Sequence, residues 1–187
     1  MQCRLVMRMF FLNLFIFLFC ASSVRAAEDN GIELGGMKSK APKNWVKEPT
    51  KSEMRLSQFR IPKEEGDSKD SEMVIFFFRS GSGSPEDNMK RQLKNFEPAE
   101  GQKEVENKVS KINIGKTEAT YQVIKGTYLD KFPPFAPNPK ITPKPNFVEL
   151  YVILKLDSGE YYFRVLGPAK TVEKNQKAFE DFLKNFK

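Results

Sequence analysis

The chain has 187 residues and a formal net charge of +7, from 31 lysines and arginines against 24 aspartates and glutamates. It contains no histidine, which excludes Ser-His-Asp and Cys-His catalysis as well as histidine-bound zinc. Both cysteines, Cys3 and Cys20, precede the predicted folded region, so we expect no disulfide, no metal and no cofactor there.

The N-terminal segment is typical of a secretory signal peptide. Arg4 and Arg8 precede an apolar run, residues 9–19, that is too short to span a bilayer comfortably. We predict cleavage after Ala26, because Val24 and Ala26 occupy the positions where signal peptidase requires small residues; an uncleaved anchor is the alternative. Cleavage would leave 161 residues, about one domain, with a net charge of +4 and no stable membrane span. The protein would then be periplasmic or extracellular.

The first part of the exported chain predicts a linker and then the start of a domain. Residues 27–40 contain glycines and few apolar side chains, which indicates a flexible linker. Trp45 follows a turn signal, and we expect it to be buried in the core. Residues 54–61 predict a strand whose apolar positions change phase near Ser57 and Gln58, as at a β-bulge.

An unbroken apolar run, residues 73–78, predicts a strand that is buried on both faces, so helices should pack on both sides of the sheet. Ser84 is a good N-cap for the following helix, and Pro85 suits its first position. The apolar stripe of this helix consists of Met89, Leu93 and Phe96.

Two polar residues of the same helix, Asn88 and Arg91, lie off its apolar stripe. They are candidates for polar contacts beside a cleft. The alternative is that they tie the helix to a neighbouring loop through hydrogen bonds to backbone carbonyls.

Two β-hairpins dominate the second half of the chain. The first pairs residues 108–114 with 118–129 around Gly115. The second spans residues 147–167, where strict alternation from Val148 to Leu156 predicts a strand with one face on a core and Glu149 on the other face. Ser158 and Gly159 supply the turn, and alternation resumes on the returning strand.

A proline-rich segment, residues 132–145, separates the hairpins and contains six of the twelve prolines. We expect it to stay out of the sheet, as a polyproline-like excursion or a mobile loop. Phe132 and Phe135 lie among these prolines with no periodic pattern, so at least one is a candidate apolar anchor for a partner. The alternative is that both rings fold back over the sheet edge.

A final amphipathic helix is predicted after Gly167 and Pro168, with Thr171 as its cap. The order of elements predicts an α+β fold, a layered sandwich in which a mainly antiparallel sheet of about six strands packs with two main helices. Residues 41–187 would form this single domain.

Five groups of residues in this region resemble those of a known family. They are residues 41–45 with Trp45, residues 54–62 with Phe59, residues 76–78, the helix residues Asn88, Arg91 and Phe96, and the pair Gly167 and Pro168. In these features the chain resembles secreted bacterial proteins, notably from planctomycetes, with a PsbP/Mog-like sandwich domain over residues 41–187. The resemblance implies a binding or assembly module, since photosystem relatives bind a membrane complex and other members of the fold bind proteins. It implies no catalytic residue.

The sequence leaves two main functional hypotheses and a third possibility, attachment to anionic envelope surfaces through the net positive charge, which predicts that salt weakens binding steeply. The leading one is an exported protein that is not an enzyme and that binds an envelope protein or a small ligand on one face of the sheet; nucleic acid is not expected, because lysines alternate with acids along the chain. The alternative is a carboxylate-dependent extracytoplasmic hydrolase. That enzyme would need two acids that converge in a cleft, one of them with a raised pKa.

Overall fold

The structure is a computed structural model that describes residues 30–50, 52–80, 83–134 and 136–187. The predicted signal peptide and Phe135 lie outside the described residues. The strands are β1 Gly31–Leu34, β2 Met37–Lys40, β3 Val46–Glu48, β4 Arg55–Ile61, β5 Ser71–Phe78, β6 Phe96–Glu97, β7 Glu106–Ile114, β8 Thr117–Phe132, β9 Lys140–Leu156 and β10 Gly159–Pro168; the helices are α1 Pro85–Leu93 and α2 Ala169–Lys184.

An eight-stranded antiparallel sheet organises the molecule. Its order is β3-β4-β5-β10-β9-β8-β6, and β7 also pairs with β8. The predicted α+β fold with a mainly antiparallel sheet and two helices is therefore confirmed. The sheet has more strands than predicted because β3 and β6, of three and two residues, are too short to show a periodic pattern.

The main core lies between the sheet and α2. It contains Trp45, Phe59 and Phe163, all nearly inaccessible to solvent, and the apolar stripe of α2. As predicted, β4 carries a register shift between Arg55 and Ser57. Helix α2 begins two residues before the predicted cap, so Thr171 lies inside its first turn. The backbone N–H of Thr171 donates a hydrogen bond of 2.7 Å to the carboxylate of Asp67, which lies between β4 and β5. A side chain distant in sequence thus caps this helix.

Residues 31–40 form a β-hairpin, which corrects the prediction of a flexible linker. Ile32 and Leu34 alternate with exposed residues and are buried in the main core. Gly35 and Gly36 have positive φ values of 51° and 90°, as a tight hairpin turn requires. These glycines, which suggested a linker, are the turn itself.

The other face of the sheet, called here the second face, is partly covered by α1. Met89 of α1 packs on a cluster of Tyr151, Ile153 and Tyr162, and Leu93 packs on a cluster of Phe96, Ile124 and Phe147. As predicted, Ser84 caps α1, and its hydroxyl accepts a hydrogen bond from the Asp87 N–H at 3.1 Å. Helices therefore lie on both sides of the sheet.

The proline-rich segment joins the sheet, contrary to the prediction. Strands β8 and β9 continue past the rest of the sheet, and Leu129 pairs with Pro143 and Phe132 with Lys140. Within the described residues no third strand pairs with this part of β8 and β9. A proline lacks the N–H donor, and its loss is tolerated here because each strand has an unpaired outer edge. We call residues 129–143 the arm.

Candidate functional site

The second face contains a buried acid, Glu149 of β9. Its strand neighbours are Leu166 on β10 and Ile124 on β8, both apolar. The side chain is fully buried, and among the described residues neither carboxylate oxygen has a hydrogen-bond partner. Burial raises the pKa of Glu149 from its ordinary value of 4.5 to about 7, while the positive charge of Arg164 opposes this shift. The carboxyl group is therefore partly protonated near neutral pH.

Sequence reasoning missed this residue. The alternation in β9 correctly placed Glu149 opposite the main core, but it treated that side of the strand as polar. Tyr151 and Ile153 share the side of Glu149 and are buried too. Two apolar residues in succession on the supposedly polar side were the available signal that another element covers it.

The surroundings of Glu149 bear on the hydrolase hypothesis. Glu72 of β5 also flanks Leu166, so the two acids lie on the same face with one strand between them, roughly 10 Å apart at the backbone. Glu72 forms an ion pair with Arg55 at 3.0 Å. A general acid must come within hydrogen-bond reach of its substrate. Glu149 meets the requirement of a raised pKa, but its side chain has no exposed surface, so it does not meet the requirement of hydrogen-bond reach to a substrate.

The structure brings the predicted site residues Asn88 and Arg91 together on α1. Asn88 is buried; its amide donates to the Ser84 carbonyl at 2.9 Å and its Oδ1 accepts from the Arg91 guanidinium. Arg91 lies on the exposed side of the helix. The Ser84 carbonyl belongs to the N-cap of α1 itself, so this contact lies within the helix and does not tie it to a neighbouring loop. A role in binding stays a prediction for both residues.

The third predicted site residue, Phe132, lies near the tip of the arm. Its side chain is 73% exposed, so it does not fold back over the sheet edge. Phe135, the fourth, lies outside the described residues.

The base of the arm is fixed to the body of the protein. Tyr128 stacks on Phe147 with ring centroids 6.1 Å apart and also contacts Phe96 at 5.4 Å. Asn95, just after α1, accepts two hydrogen bonds from the arm: one from the Leu129 N–H at 2.8 Å and one from the Lys131 ammonium at 3.0 Å. These contacts join the arm to the end of the helix that carries Asn88 and Arg91.

A groove of about 720 Å³ lies beside the base of the arm, between the loop that precedes β7 and strands β8 and β9. Gly126 on its wall permits a close approach, because a Cβ there would come within 2.4 Å of the Glu97 carbonyl oxygen. The groove has the volume of a small-ligand site. It is lined by both acids and lysines, and none of the three described site residues, Asn88, Arg91 and Phe132, belongs to its lining.

The described residues contain neither a group of candidate metal ligands nor a helix suited to span a membrane. No three histidine, cysteine, aspartate or glutamate side chains in this part of the chain are grouped as metal ligands would be. Neither helix in the described ranges has the length and apolar character needed to cross a bilayer.

Comparison with known proteins identifies the fold. No protein-family model and no curated protein matches the chain. The solution structure of cyanobacterial PsbP (CyanoP) from Synechocystis sp. PCC 6803 aligns with 91% of this chain and 98% of its own, with a TM-score of 0.50 and 13% identity. The chain thus has a PsbP-like α+β fold. This confirms the fold that the sequence resemblance implied, and at this identity the similarity concerns the fold alone.

Two other solved structures are similar to the chain. A protein of unknown function from Pseudomonas aeruginosa covers 82% of this chain and 92% of its own, with a TM-score of 0.45 and 14% identity. LpqN of Mycobacterium tuberculosis, described as involved in cell envelope biogenesis, covers 82% and 86%, with a TM-score of 0.47 and 14% identity.

Proposed function

We propose that the protein is an exported binding or assembly module without catalytic activity, and that the arm is the element that contacts its partner. The observation that carries this proposal is the high exposure of Phe132 on an arm whose base is held by aromatic packing and hydrogen bonds. A large apolar side chain on a rigid projection loses little conformational entropy when it docks. Export is supported by the N-terminal pattern of a signal peptide.

The proposed partner is a component of the cell envelope. Asn88 and Arg91 would contribute through the end of α1, because Asn95 connects this helix to the arm and its amide donates to the Arg91 carbonyl at 3.2 Å. Binding at this side of the molecule would leave the main core and α2 unchanged.

The test compares capture of envelope components by the wild-type chain and by Phe132→Ser. Val109→Ser is a matched control, because Val109 is another exposed apolar residue, at 49%, but lies on β7. We expect Phe132→Ser to lose capture and keep the wild-type melting temperature, and Val109→Ser to keep both. Equal capture by all three proteins would refute the arm as the binding element.

A further inference from the structure

The tip of the arm is the longest uncharged run of the chain after the predicted signal peptide. Eight consecutive residues, 132–139, carry no charge, whereas 29% of all residues are charged. Phe132, Pro133 and Pro134 are exposed at and just after the end of β8, and Pro137 and Ile141 are exposed just before and at the start of β9. Only uncharged side chains would therefore meet a surface that the tip touches first.

Lysines follow directly behind this tip on both strands. Lys131 lies on β8 and Lys140 on β9, both next to the tip, and Lys144 lies on β9 at the base of the arm, opposite Tyr128; the arm contains a single acid, Asp130. Within the described residues none of these three lysines forms an ion pair, whereas Lys111, Lys125 and Lys155 each pair with a glutamate. The arm thus presents a ring of uncompensated positive charge, which we call the lysine collar.

The arm is long and rigid enough to present this arrangement away from the body. From Tyr128 to Phe132 the two-stranded ribbon extends by roughly 13 Å, at about 3.3 Å per residue. Its base is fixed by the stacking of Tyr128 on Phe147 and by the two hydrogen bonds to Asn95.

We propose that the arm docks onto a lipid bilayer that contains anionic lipids, with Phe132 at the boundary of the acyl chains and the lysine collar against the phosphate headgroups. This inference rests on the proposed function, because it names the partner of the same arm. An apolar tip removes its surface from water at the interface, and each basic residue near an anionic leaflet adds attraction. A protein pocket for Phe132 would explain the exposed ring, but it would not require lysines without an acidic partner on both strands behind the tip.

The experiment places a fluorescent probe at the tip. In Phe132→Trp, the emission of the new indole reports insertion, while Trp45, which is 2% exposed in the core, serves as an internal reference. The full chain is mixed with vesicles of equal parts phosphatidylcholine and phosphatidylglycerol, with bromine on the acyl chains as a quencher. We expect a blue shift and quenching with these vesicles, little change with brominated phosphatidylcholine alone, and no quenching of Trp45 in the wild-type chain. The probe reports on the arm even if the N-terminal segment also binds the vesicle.

The lysine collar is tested in the same assay. Replacing Lys131, Lys140 and Lys144 by Gln should weaken the vesicle affinity of the arm by about fivefold per lysine, and salt should weaken it in the wild-type chain. The matched control replaces three exposed lysines outside the arm, Lys43, Lys103 and Lys108, and should leave the quenching unchanged.

Each outcome decides the inference. If the Phe132→Trp emission does not respond to anionic vesicles, or if the two lysine triples behave alike, the lipid surface is refuted as the partner. If the lipid assay fails while Phe132→Ser still loses capture of an envelope protein, the proposed function survives with a protein in place of the bilayer. If neither assay responds, both proposals fail.

Discussion

At the scale of single residues, Glu149 connects burial to pH. Its carboxyl group is fully buried, and burial raises its pKa to about 7, whereas the unfolded chain gives the ordinary value of 4.5. The folded state therefore holds the proton more tightly than the unfolded state does. The resulting stabilisation is fully present below pH 4.5 and is lost as the pH rises through about 7.

We predict that Glu149→Gln removes this pH dependence. At pH 8 the variant should be more stable than the wild-type chain by up to about 3 kcal/mol, and near pH 4 the two should be alike, because each unit of pKa shift corresponds to about 1.4 kcal/mol. Urea unfolding at both pH values measures the difference. Glu100→Gln, at an exposed loop position, is the control. A constant difference between Glu149→Gln and the wild-type chain at all pH values would contradict the prediction.

Trp45 is the opposite case, a residue whose role the sequence predicted well. It is 2% exposed, and its ring lies 6.2 Å from those of Phe59 and Phe182. Its indole N–H donates to Asn175 Oδ1 at 3.1 Å. We expect Trp45→Ala to lower the free energy of unfolding by about 3 to 5 kcal/mol. Trp45→Phe should lose less because it keeps most of the packing. Thermal unfolding measures both, and a Trp45→Ala melting temperature within a degree or two of wild type would refute the structural role.

The contrast between these residues has a physical cause. A tryptophan is large enough that burial is expected wherever it lies near a strand. The environment of Glu149 depends on Leu93 and Phe96, which approach the second face from more than fifty positions away in sequence. Local alternation shows which side of β9 a residue occupies, but it does not show what covers that side.

At the scale of elements, the arm and the first hairpin show how glycine and proline can mislead. Proline was expected to exclude the 132–145 segment from a sheet, yet an unpaired edge accommodates it. The glycines at 35 and 36 suggested a linker, yet they form the turn of the β1–β2 hairpin. Neither segment could be assigned from residue type alone. The neighbouring strands determine whether a proline lies at an unpaired edge and whether a glycine forms a hairpin turn.

Substitutions at the tip of the arm and at its base should have different effects on stability. We predict that Phe132→Ser leaves the melting temperature unchanged, because the ring is 73% exposed. Tyr128→Ala should lower the free energy of unfolding by about 2 kcal/mol, since it removes a half-buried ring that contacts both Phe96 and Phe147. Melting followed by circular dichroism distinguishes the two variants. A large loss of stability in Phe132→Ser would show that the ring covers part of the body.

At the scale of the whole molecule, the sequence predicted the layers of the fold but not which strands are adjacent in the sheet. Alternating strands and two amphipathic helices were enough for an antiparallel sheet packed with helices. The pairing of β5 with β10 was not predictable, because these strands are about eighty residues apart and no local pattern selects between compatible edges. The arm was not predictable for the same reason, because contacts between β6, β8 and β9 hold its base in place.

The N-terminal boundary of the folded unit depends on these distant contacts. Ile32 and Leu34 are buried against the main core, and Lys38 pairs with Lys187 at the end of the chain through backbone hydrogen bonds of 2.8 and 3.2 Å. The Ser39 hydroxyl also donates to the Phe182 carbonyl of α2 at 2.8 Å. The β1–β2 hairpin therefore lies against both the core and the C-terminal helix.

We predict that a chain that starts at Asn30 is more stable than one that starts at Ala41, the boundary that the sequence suggested. The shorter chain lacks Ile32 and Leu34, and it exposes the apolar surface that they cover. Because truncation of one buried leucine or isoleucine to alanine costs about 2 to 5 kcal/mol, the free energy of unfolding should fall by at least about 4 kcal/mol. Urea unfolding monitored by Trp45 fluorescence compares the two chains, and Leu34→Ala in the longer chain should reproduce part of the loss. Equal unfolding midpoints for both chains would show that the hairpin adds no stability and that the folded unit starts at residue 41.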